Sequence, residues 1–516
     1  MKKIESRMLE GALNTDLYQL TMAQLYFKQG VHEKQVRFEH FFRQYPAYNS
    51  SKAGYCINAG LEWLISWLKE TKFTSDDIDI LKKYKTSQGK QLFEKNFLDW
   101  LGNISPFDSL TIDAIPEGRV VHQWVPLTVA QGPLAIAQIL ETALLNQLNY
   151  QILVATKAAR IKMAGRDQIL MEFGTRRAHD RGVNAGIRAA LIGGADFSSN
   201  VGLSHLMGIE AKGTHSHAMV QFFMGMGMSE EDAFQSYADL YPDECILLVD
   251  TINTLESGIP NAIKVFENLK KKGHKPLGIR LDSGDLAYLS IKAVQALNKA
   301  GFEDVKIVLS NELDEINIWQ IITQIEEEAS QHHLDPDHLI KRLMYGVGTR
   351  LITSAGDAAL SGVYKLTSIY DDGKWIPTTK FSESLSKSII PGNKKIWRIY
   401  TRSGKANADI MTLDTEIVED IDTFNLYHPI DLDKSRTIRK TEISHMEPLM
   451  ERIVANGKLV YDFPTLNSIR EKRQQDLACL DPGVKRLIQP HIYHVSLSQP
   501  LHQLRQQISK EFNQKL

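Results

Sequence analysis

The sequence predicts an α/β fold, with a parallel α/β barrel over residues 131–360. Short apolar runs recur there about every 30 residues, which is the length of one strand–helix unit. The segments between them, such as 261–272 and 286–299, have the apolar spacing of helices. Units of this kind in series build a parallel barrel, regular or irregular, and a doubly wound sheet is the alternative.

The composition is that of a globular protein with a full-sized core. Hydrophobic residues make up 43% of the 516 residues and charged residues 24%, which excludes wholesale disorder. The sequence has 60 Lys and Arg against 62 Asp and Glu, a net charge of −2. This balance argues against a protein that coats a polyanion, so we expect no nucleic-acid partner.

The cysteines and the apolar segments bear on the compartment. Cys56, Cys245 and Cys479 are far apart and odd in number, which indicates a reducing cytoplasm rather than a disulfide framework. No uncharged apolar stretch reaches the roughly 18 residues of a membrane span, so we expect no membrane partner. The N-terminal charges are not followed by an apolar run, so we expect no secretory signal.

Residues 1–130 mix helices and strands ahead of the barrel. Residues 15–28 and 61–69 have helical spacing, whereas 35–42 alternates between apolar and polar residues as a strand does. Residues 120–127 look extended. This segment is therefore predicted to contribute helices and strands to a second domain.

The pattern changes again beyond residue 360. Residues 362–369 and 396–401 resemble strands, residues 413–465 resemble further strands and turns, and 466–516 carries two charged helices. We expect residues 361–516 to form a sheet-rich domain together with the N-terminal segment.

The apolar runs of the barrel segment end in glycine or polar residues. In either candidate fold, ligands bind at the carboxyl ends of the strands, so these ends are candidate site positions. The runs are 168–172, 194–197, 209–212, 245–249, 276–281, 305–309 and 343–345.

The segment 282–285, Asp-Ser-Gly-Asp, carries the most informative of these ends. Carboxylates there can hold Mg²⁺ or ribose hydroxyls, and Arg280 just before them can pair with phosphate. The alternative is that Asp282 or Ser283 caps the helix that begins at Leu286.

Further strand ends fit phosphate binding. The backbone of Gly346, Val347 and Gly348 could cradle an anion, although glycines there could equally serve a turn with positive φ. Arg176 follows Phe173 and adds a guanidinium that either binds phosphate or is solvated at the surface.

His215 and His217 admit several interpretations. They could bind a metal from one strand face, form a hydrogen-bonded strand-end pair, or supply a neutral imidazole as nucleophile or base. Another cluster resembles a metal site, but its polar, proline-containing context predicts a solvated connection; it consists of His332, His333, Asp335, Asp337 and His338.

Several common nucleotide and metal motifs are missing from the sequence. It has no P-loop, no placed Gly-x-Gly-x-x-Gly and no Cys-x-x-Cys, which disfavours P-loop machines, Rossmann dehydrogenases and zinc knuckles. The remaining Arg, Asp, Gly and His residues at one barrel face suit a substrate with several phosphates, a sugar and a flat ring.

A series of segments in chain order resembles the motifs of nicotinate phosphoribosyltransferases. Each motif is weak evidence of the resemblance by itself, but together, in the same order from about residue 14 to 400, they identify the family specifically. They are Asn14-Thr15-Asp16-Leu17-Tyr18, Glu172-Phe173-Gly174-Thr175-Arg176, Ser199-Asn200-Val201, Lys212-Gly213-Thr214 with His217, Gly278 to Leu286, Ser310 to Asp314, Tyr345 to Thr349, Gly362 to Leu366, and Lys380-Phe381-Ser382-Glu383 with Pro391-Gly392 and Lys394.

The resemblance implies an irregular α/β barrel and an open-faced sandwich built from both chain ends. It implies that nicotinate and 5-phosphoribosyl-1-pyrophosphate form nicotinate mononucleotide and pyrophosphate, coupled to ATP hydrolysis, in NAD salvage. It also implies Mg²⁺ and a homodimer with shared sites, in which Tyr18 of one subunit stacks on the substrate of the other.

The resemblance also implies residue roles. ATP would phosphorylate His217, and Asp250 and Asp282 would serve the pyrophosphate and ribose, with Mg²⁺ as a contact. Phe173 would stack on the pyridine ring, and Arg176 would meet the carboxylate or the phosphates. The other substrate contacts implied are Ser199, Thr214, Arg280, Ser283, Gly284, Asn311, Gly346, Gly348 and Thr349, with Gly346 and Gly348 at the 5-phosphate.

Some positions depart from the family pattern or bear on specificity. Ala218 stands where Ser is usual after the histidine, Glu312 where Asp is usual, and 252–253 where an aromatic-Asp pair is common; these bear on ATP coupling. Related nicotinamide enzymes carry an Asp where Ser199 aligns here, and a carboxylate there would repel nicotinate, so Ser199 favours the acid.

Other functions compete with this one. Within the same fold, a transferase could use nicotinamide or quinolinate. From other classes, a metal-dependent barrel hydrolase would need bound Zn²⁺, and a non-catalytic relative would have lost the site residues that this sequence retains.

Overall fold

The computed structural model describes residues 10–48, 51–180, 182–380, 389–431 and 433–515. The chain divides into two compact units, one comprising Met1–Leu153 with Asp357–Leu516 (unit 1) and the other Val154–Gly356 (unit 2). The fold is mixed α/β, as predicted. Within the described part of the chain, no helix is long and apolar enough to span a membrane.

The helices are distributed over the whole chain. In chain order they are α1 (Leu17–Lys28), α2 (Leu61–Glu70), α3 (Ser75–Leu81), α4 (Lys95–Leu101), α5 (Leu134–Ala164), α6 (Gly182–Gly193), α7 (Val201–Leu206), α8 (His217–Gly225), α9 (Glu230–Leu240), α10 (Ile259–Lys271), α11 (Leu286–Lys299), α12 (Glu315–Glu328), α13 (Pro336–Ile340), α14 (Thr349–Ile352), α15 (Leu466–Cys479) and α16 (Gln499–Lys515).

The strands form larger sheets and short two-stranded ribbons. In chain order they are β1 (Gln35–Phe42), β2 (Ala47–Tyr48), β3 (Ser51–Lys52), β4 (Cys56–Ile57), β5 (Thr111–Ala114), β6 (Val120–Val121), β7 (Thr128–Pro133), β8 (Leu170–Glu172), β9 (Phe197–Ser198), β10 (Ile246–Leu248), β11 (Gly278–Leu281), β12 (Lys306–Leu309), β13 (Leu343–Val347), β14 (Gly362–Asp371), β15 (Lys374–Pro377), β16 (Lys394–Thr401), β17 (Ala406–Leu413), β18 (Thr423–Tyr427), β19 (Ser435–Arg439), β20 (Ile443–Pro448), β21 (Glu451–Ala455), β22 (Lys458–Leu459) and β23 (His494–Leu497).

Unit 2 is built on a parallel sheet of six strands in the order β10-β11-β12-β13-β8-β9. The strands are short and apolar because both faces are covered; Ile307, Val308 and Leu309 of β12, for example, are fully buried. Parallel pairing holds throughout, as between Ile279 and Ile307. All carboxyl ends of the strands therefore lie along one edge of this sheet.

One predicted strand of the barrel segment is wrong. Residues 209–212 form only a single bridge, between Ala211 and Ser198. Glu210 and Ala211 are exposed, so the run lacks the burial that a central strand requires.

Unit 1 contains an antiparallel sheet of seven strands and a mixed sheet of six. Their orders are β15-β14-β1-β7-β5-β21-β22 and β19-β18-β23-β17-β16-β20. The first sheet joins both chain ends, because β1 pairs with β7 on one side and with β14 on the other.

A buried charge network fixes helix α15 within unit 1. Asp476 of α15 accepts hydrogen bonds from Arg119 Nε at 2.8 Å and Arg398 at 3.2 Å, and Arg398 also binds Asp409. These side chains are nearly inaccessible to solvent, so the paired charges compensate one another. Part of segment 466–516 is thus integral to the unit 1 core.

Candidate active site

The strand ends of unit 2 bring His217 together with two carboxylates. His217 is the first residue of α8, and its Nδ1 lies 3.0 Å from Thr251 Oγ1. Its Nε2 lies 3.8 Å from Asp250 Oδ1 and 3.7 Å from Asp282 Oδ2. The side chain is 38% exposed, so a reactant can reach the ring.

The Asp250 side chain is buried beside His217, and in the described part of the chain only one of its two carboxylate oxygens has hydrogen-bond partners. Its Oδ2 accepts hydrogen bonds from the Asp282 backbone N–H at 3.1 Å and from Ser283 Oγ at 2.6 Å. Its Oδ1 has no hydrogen-bond partner among the described residues, although the side chain is only 2% exposed. An uncompensated buried carboxylate oxygen is costly, so this atom is suited to meet a cation or a donor supplied by a ligand.

The carboxylates of Asp250 and Asp282 fit Mg²⁺ by chemistry and position. Both offer the hard oxygen ligands that Mg²⁺ prefers, and one of those oxygens is the unpartnered Asp250 Oδ1. No cluster of three or more His, Cys, Asp or Glu side chains in the described ranges could hold a metal by protein ligands alone. Mg²⁺ typically binds one or two protein carboxylates and completes its shell with water and substrate phosphate.

Arg280 joins several strand ends into one polar network. Its guanidinium donates to Ser310 Oγ at 2.9 Å, Thr214 Oγ1 at 3.1 Å and Asp282 Oδ1 at 3.0 Å. Its central carbon lies 5.7 Å from the centre of the Phe173 ring, in cation–π range. A cation and an aromatic face thus border the same space.

The cap of α11 is Asp285, so the capping alternative for Asp282 and Ser283 is wrong. Asp285 accepts from the backbone N–H groups of Ala287 at 3.1 Å and Tyr288 at 3.0 Å. Gly284 has φ +79°, and this left-handed residue turns the chain so that the third residue after Asp282 becomes the cap. Asp282 and Ser283 are left to point into the polar network.

Gly346 and Gly348 are not turn glycines with positive φ, so that alternative is also wrong. Neither is in the left-handed region, and Gly348 has φ −105°. At Gly346 a Cβ would lie 2.5 Å from Phe173 Cε2, and at Gly348 it would lie 3.2 Å from the Phe173 carbonyl oxygen. Glycine is needed here because Phe173 lies against the end of β13 and the residue that follows it.

His215 is a buried structural histidine and does not share the position of His217. Its Nε2 accepts a hydrogen bond from the Leu248 backbone N–H at 3.0 Å, so the proton is assigned to Nδ1, 3.3 Å from the Ser216 carbonyl oxygen. Burial lowers its pKa to about 4, which keeps the ring neutral. The other histidine-rich segment is an exposed connection in which Asp335 caps α13.

The remaining predicted residues occupy separate positions. Ser199 is half-buried at the end of β9, Arg176 is exposed, and Asn311 has φ +86°, a conformation that costs energy outside glycine. Thr349 begins α14. Tyr18 lies on α1 of unit 1, is 48% exposed, and has its hydroxyl 3.4 Å from Glu141 Oε2.

Three residues at the site were not predicted to have a role there, namely Thr251, Ser310 and Glu172. Thr251 contacts His217, and Ser310 hydrogen-bonds both Arg280 and Asp282. Glu172 is fully buried beneath the Phe173 turn. Each lies at a predicted strand end, and this position is the sequence feature that could have identified it as a site residue. Phe381, Ser382 and Glu383 of the late motif lie outside the described residues.

The sequence matches domain families along nearly its whole length. Residues 13–149 match the nicotinate phosphoribosyltransferase N-terminal domain, 169–395 the nicotinate phosphoribosyltransferase family, and 393–505 the nicotinate phosphoribosyltransferase C-terminal domain. The matched segments follow one another along the chain from residue 13 to residue 505.

Full-length relatives and a solved structure agree with this match. The chain is 39% identical to the nicotinate phosphoribosyltransferase of Bacillus subtilis (strain 168), covering 98% of each chain. It is 30% identical to that of Homo sapiens, covering 97% of each. The crystal structure of human nicotinic acid phosphoribosyltransferase superimposes with a TM-score of 0.77 at 27% identity, over 95% of this chain and 99% of that one.

Proposed function

The chain belongs to the nicotinate phosphoribosyltransferase family and is a transferase, and we propose that it makes nicotinate mononucleotide with ATP hydrolysis coupled to the transfer. The observation that carries the proposal is the convergence of His217, Asp250, Asp282 and Arg280 beside the Phe173 ring. A phosphorylated sugar, a flat ring and a phosphorylatable imidazole each find a suitable partner there.

The transfer requires positioning and charge neutralisation more than proton transfer. The pyridine nitrogen of nicotinate attacks C1 of the ribose, the C1–O bond breaks, and pyrophosphate leaves with the bonding electrons. Because positive charge develops on the ribose, fixed polar groups stabilise the transition state. Arg280 pairs with phosphate, and the Gly346 and Gly348 loop holds the 5-phosphate. Asp250 and Asp282 would hold Mg²⁺, which supplies charge neutralisation for pyrophosphate.

His217 is the proposed site of phosphorylation by ATP. A ring nitrogen attacks the terminal phosphorus, a P–N bond forms, and ADP leaves; water later releases phosphate. Thr251 holds one ring nitrogen at 3.0 Å, which fixes the ring plane while the other nitrogen faces Asp250 and Asp282. Ala218 and Glu312 do not contribute to these contacts, so their departure from the family pattern leaves this geometry in place.

The acid rather than the amide is the proposed substrate. Phe173 stacks on the pyridine ring, Arg176 attracts the carboxylate, and the Ser199 hydroxyl can donate to it, whereas an aspartate there would repel it. The further contacts proposed are Thr214, Ser283, Gly284, Asn311 and Thr349.

The quaternary and finer tertiary arrangement follows the same proposal. The parallel sheet of unit 2 forms an irregular barrel, and the sheets of unit 1 form an open-faced sandwich. Two copies of the chain, located in the cytoplasm, share their sites, with Tyr18 of one copy stacking in the site of the other. The exposed ring of Tyr18 supports its availability to a partner.

A chromatographic assay for mononucleotides tests the proposal. Purified protein receives Mg²⁺ and the phosphoribosyl donor with nicotinate or nicotinamide, with and without ATP, beside a His217→Asn variant. We expect nicotinate mononucleotide from the wild type, more of it with ATP, and no stimulation by ATP in the variant. Product from nicotinamide alone contradicts the acid assignment, and full stimulation in His217→Asn contradicts the phosphohistidine.

A further inference from the structure

Glu172 is a buried carboxylate that the chemistry above leaves without a task. Its side chain lies at the end of β8 and is inaccessible to solvent. Oε2 accepts from Ser198 Oγ at 2.8 Å and Oε1 accepts from the Gly174 backbone N–H. Both donors are neutral, and burial raises the pKa of Glu172. Burying a glutamate without a cation beside it costs free energy of folding, so we expect its hydrogen bonds to have a function in the site.

These hydrogen bonds tie the end of β8 to the end of β9. The Glu172 carbonyl oxygen accepts from the Ser199 backbone N–H at 3.0 Å. The Ser198 hydroxyl that donates to the carboxylate also accepts from the Asn200 backbone N–H at 3.1 Å. Displacing the Glu172 side chain therefore disturbs the serine that precedes Ser199.

The same carboxylate also fixes the turn that carries Phe173. The Phe173 N–H donates to the Val347 carbonyl oxygen at 2.9 Å, and the next N–H, of Gly174, donates to Glu172 Oε1. A Cβ at residue 174 would lie 2.6 Å from Ile352 Cβ and 2.7 Å from Glu172 Oε1, so only glycine fits between these two side chains. The N–H groups of Phe173 and Gly174 are both held, which fixes the peptide groups on either side of Phe173.

We propose that Glu172 is the positioning residue of the nicotinate subsite, setting the Phe173 ring and the Ser199 hydroxyl at a fixed separation. The inference rests on the proposed function, in which Phe173 stacks on the pyridine and Ser199 meets its carboxylate. Glu172 acts through these two residues and has no contact with the substrate. Its loss therefore weakens nicotinate binding more than binding of the phosphoribosyl donor, because the donor's proposed contacts at Arg280, Asp250 and Asp282 make no hydrogen bond to Glu172.

Steady-state kinetics of Glu172→Gln and Ser198→Ala test the inference. Glutamine keeps the shape but replaces one acceptor oxygen with a donor, while Ser198→Ala leaves the glutamate in place and removes its hydroxyl partner. We expect Glu172→Gln to raise the KM for nicotinate about tenfold, the size of a lost hydrogen bond to a charged group. The KM for the phosphoribosyl donor stays within about twofold. Ser198→Ala shifts the same KM in the same direction, even if the glutamine variant does not fold.

Glu230→Gln is the matched control. Glu230 is likewise buried in unit 2 and accepts from neutral donors, Ser257 Oγ and Asn261 Nδ2, but it lies on α9 and these donors follow β10 rather than β8 or β9. We expect it to change thermal stability without a selective change in the KM for nicotinate. If the wild type is active and the KM for nicotinate is unchanged in both test variants, the inference about Glu172 is refuted and the proposed function stands. The inference is also refuted if the test variants shift the KM values for nicotinate and for the phosphoribosyl donor equally, or if Glu230→Gln shows the same selective shift in the KM for nicotinate. A wild type that makes no nicotinate mononucleotide overturns the proposed function and this inference with it.

Discussion

Gly346→Ala is expected to damage catalysis more than folding. A methyl carbon at this position would lie 2.5 Å from Cε2 and 2.6 Å from Cδ2 of Phe173. Carbon atoms in contact are about 3.5–4.0 Å apart, so the ring must retreat by about 1 Å or more. The obstacle is a half-buried side chain rather than backbone, so the ring can move without unfolding the sheet.

The size of both effects follows from that displacement. Overpacking of this kind costs about 1–3 kcal/mol of the free energy of unfolding. A misplacement of about 1 Å in a substrate-positioning group can cost about a hundredfold in rate. We therefore expect kcat/KM for nicotinate to fall between about tenfold and a hundredfold, while the protein still unfolds cooperatively in denaturant.

Matched variants separate the ring displacement from a general defect. A Cβ at Gly182, on α6 of the same unit, meets no atom within 4 Å among the described residues, so Gly182→Ala should leave both quantities unchanged. Adding Phe173→Leu to Gly346→Ala removes the ring and should restore the stability without restoring the activity. A Gly346→Ala enzyme with wild-type kcat/KM, measured as mononucleotide formed per second, refutes the assigned place of Phe173.

Further predictions concern other groups of unit 2. Ser310→Ala should lower kcat/KM by roughly tenfold or more, because its hydroxyl bonds the charged Arg280 and Asp282 and such bonds contribute about 1.5–3 kcal/mol; an unchanged value in the mononucleotide assay contradicts this. Ser199→Asp should shift the ratio of nicotinate to nicotinamide use toward the amide, and an unchanged ratio in a competition assay argues against the role of Ser199. His215, with its pKa lowered to about 4 by burial, binds protons better in the unfolded chain, so stability is present above about pH 6.5 and is lost as pH falls toward 4. His215→Gln should remove up to about 3 kcal/mol of that pH dependence, measured by denaturant unfolding across this range.

Elements with strong local signals were predictable from the sequence. The alternation at residues 35–42 matches β1 (Gln35–Phe42), and the helical spacing at 61–69 matches α2 (Leu61–Glu70). Strand ends in unit 2 were also predictable, because an apolar run followed by polar residues needs no distant partner to be seen. The prediction of a strand at residues 209–212 was wrong because local hydrophobicity does not indicate whether both faces of a strand will be covered.

The site was predictable as a set of positions but not as a set of contacts. His217 and Thr251 approach to 3.0 Å across a long stretch of chain, which only the order of the parallel strands decides. The choice of Asp285 over Asp282 as a helix cap depends on the left-handed Gly284, one residue before it. The sequence pattern placed the cap at Asp282 or Ser283, and the turn at Gly284 moves it to Asp285.

The division of labour among the acidic residues follows from what each carboxylate already binds. Asp285 Oδ1 accepts a hydrogen bond from the α11 backbone, and Asp282 Oδ1 accepts one from Arg280. Asp250 Oδ1, in contrast, is buried and lacks a partner among the described residues. An open acceptor that faces His217 is costly for the fold alone and useful only when a ligand or a cation arrives. Asp250 Oδ1 is therefore the oxygen expected to respond to substrate binding, whereas Asp285 Oδ1 and Asp282 Oδ1 hold the surrounding backbone and Arg280 in place.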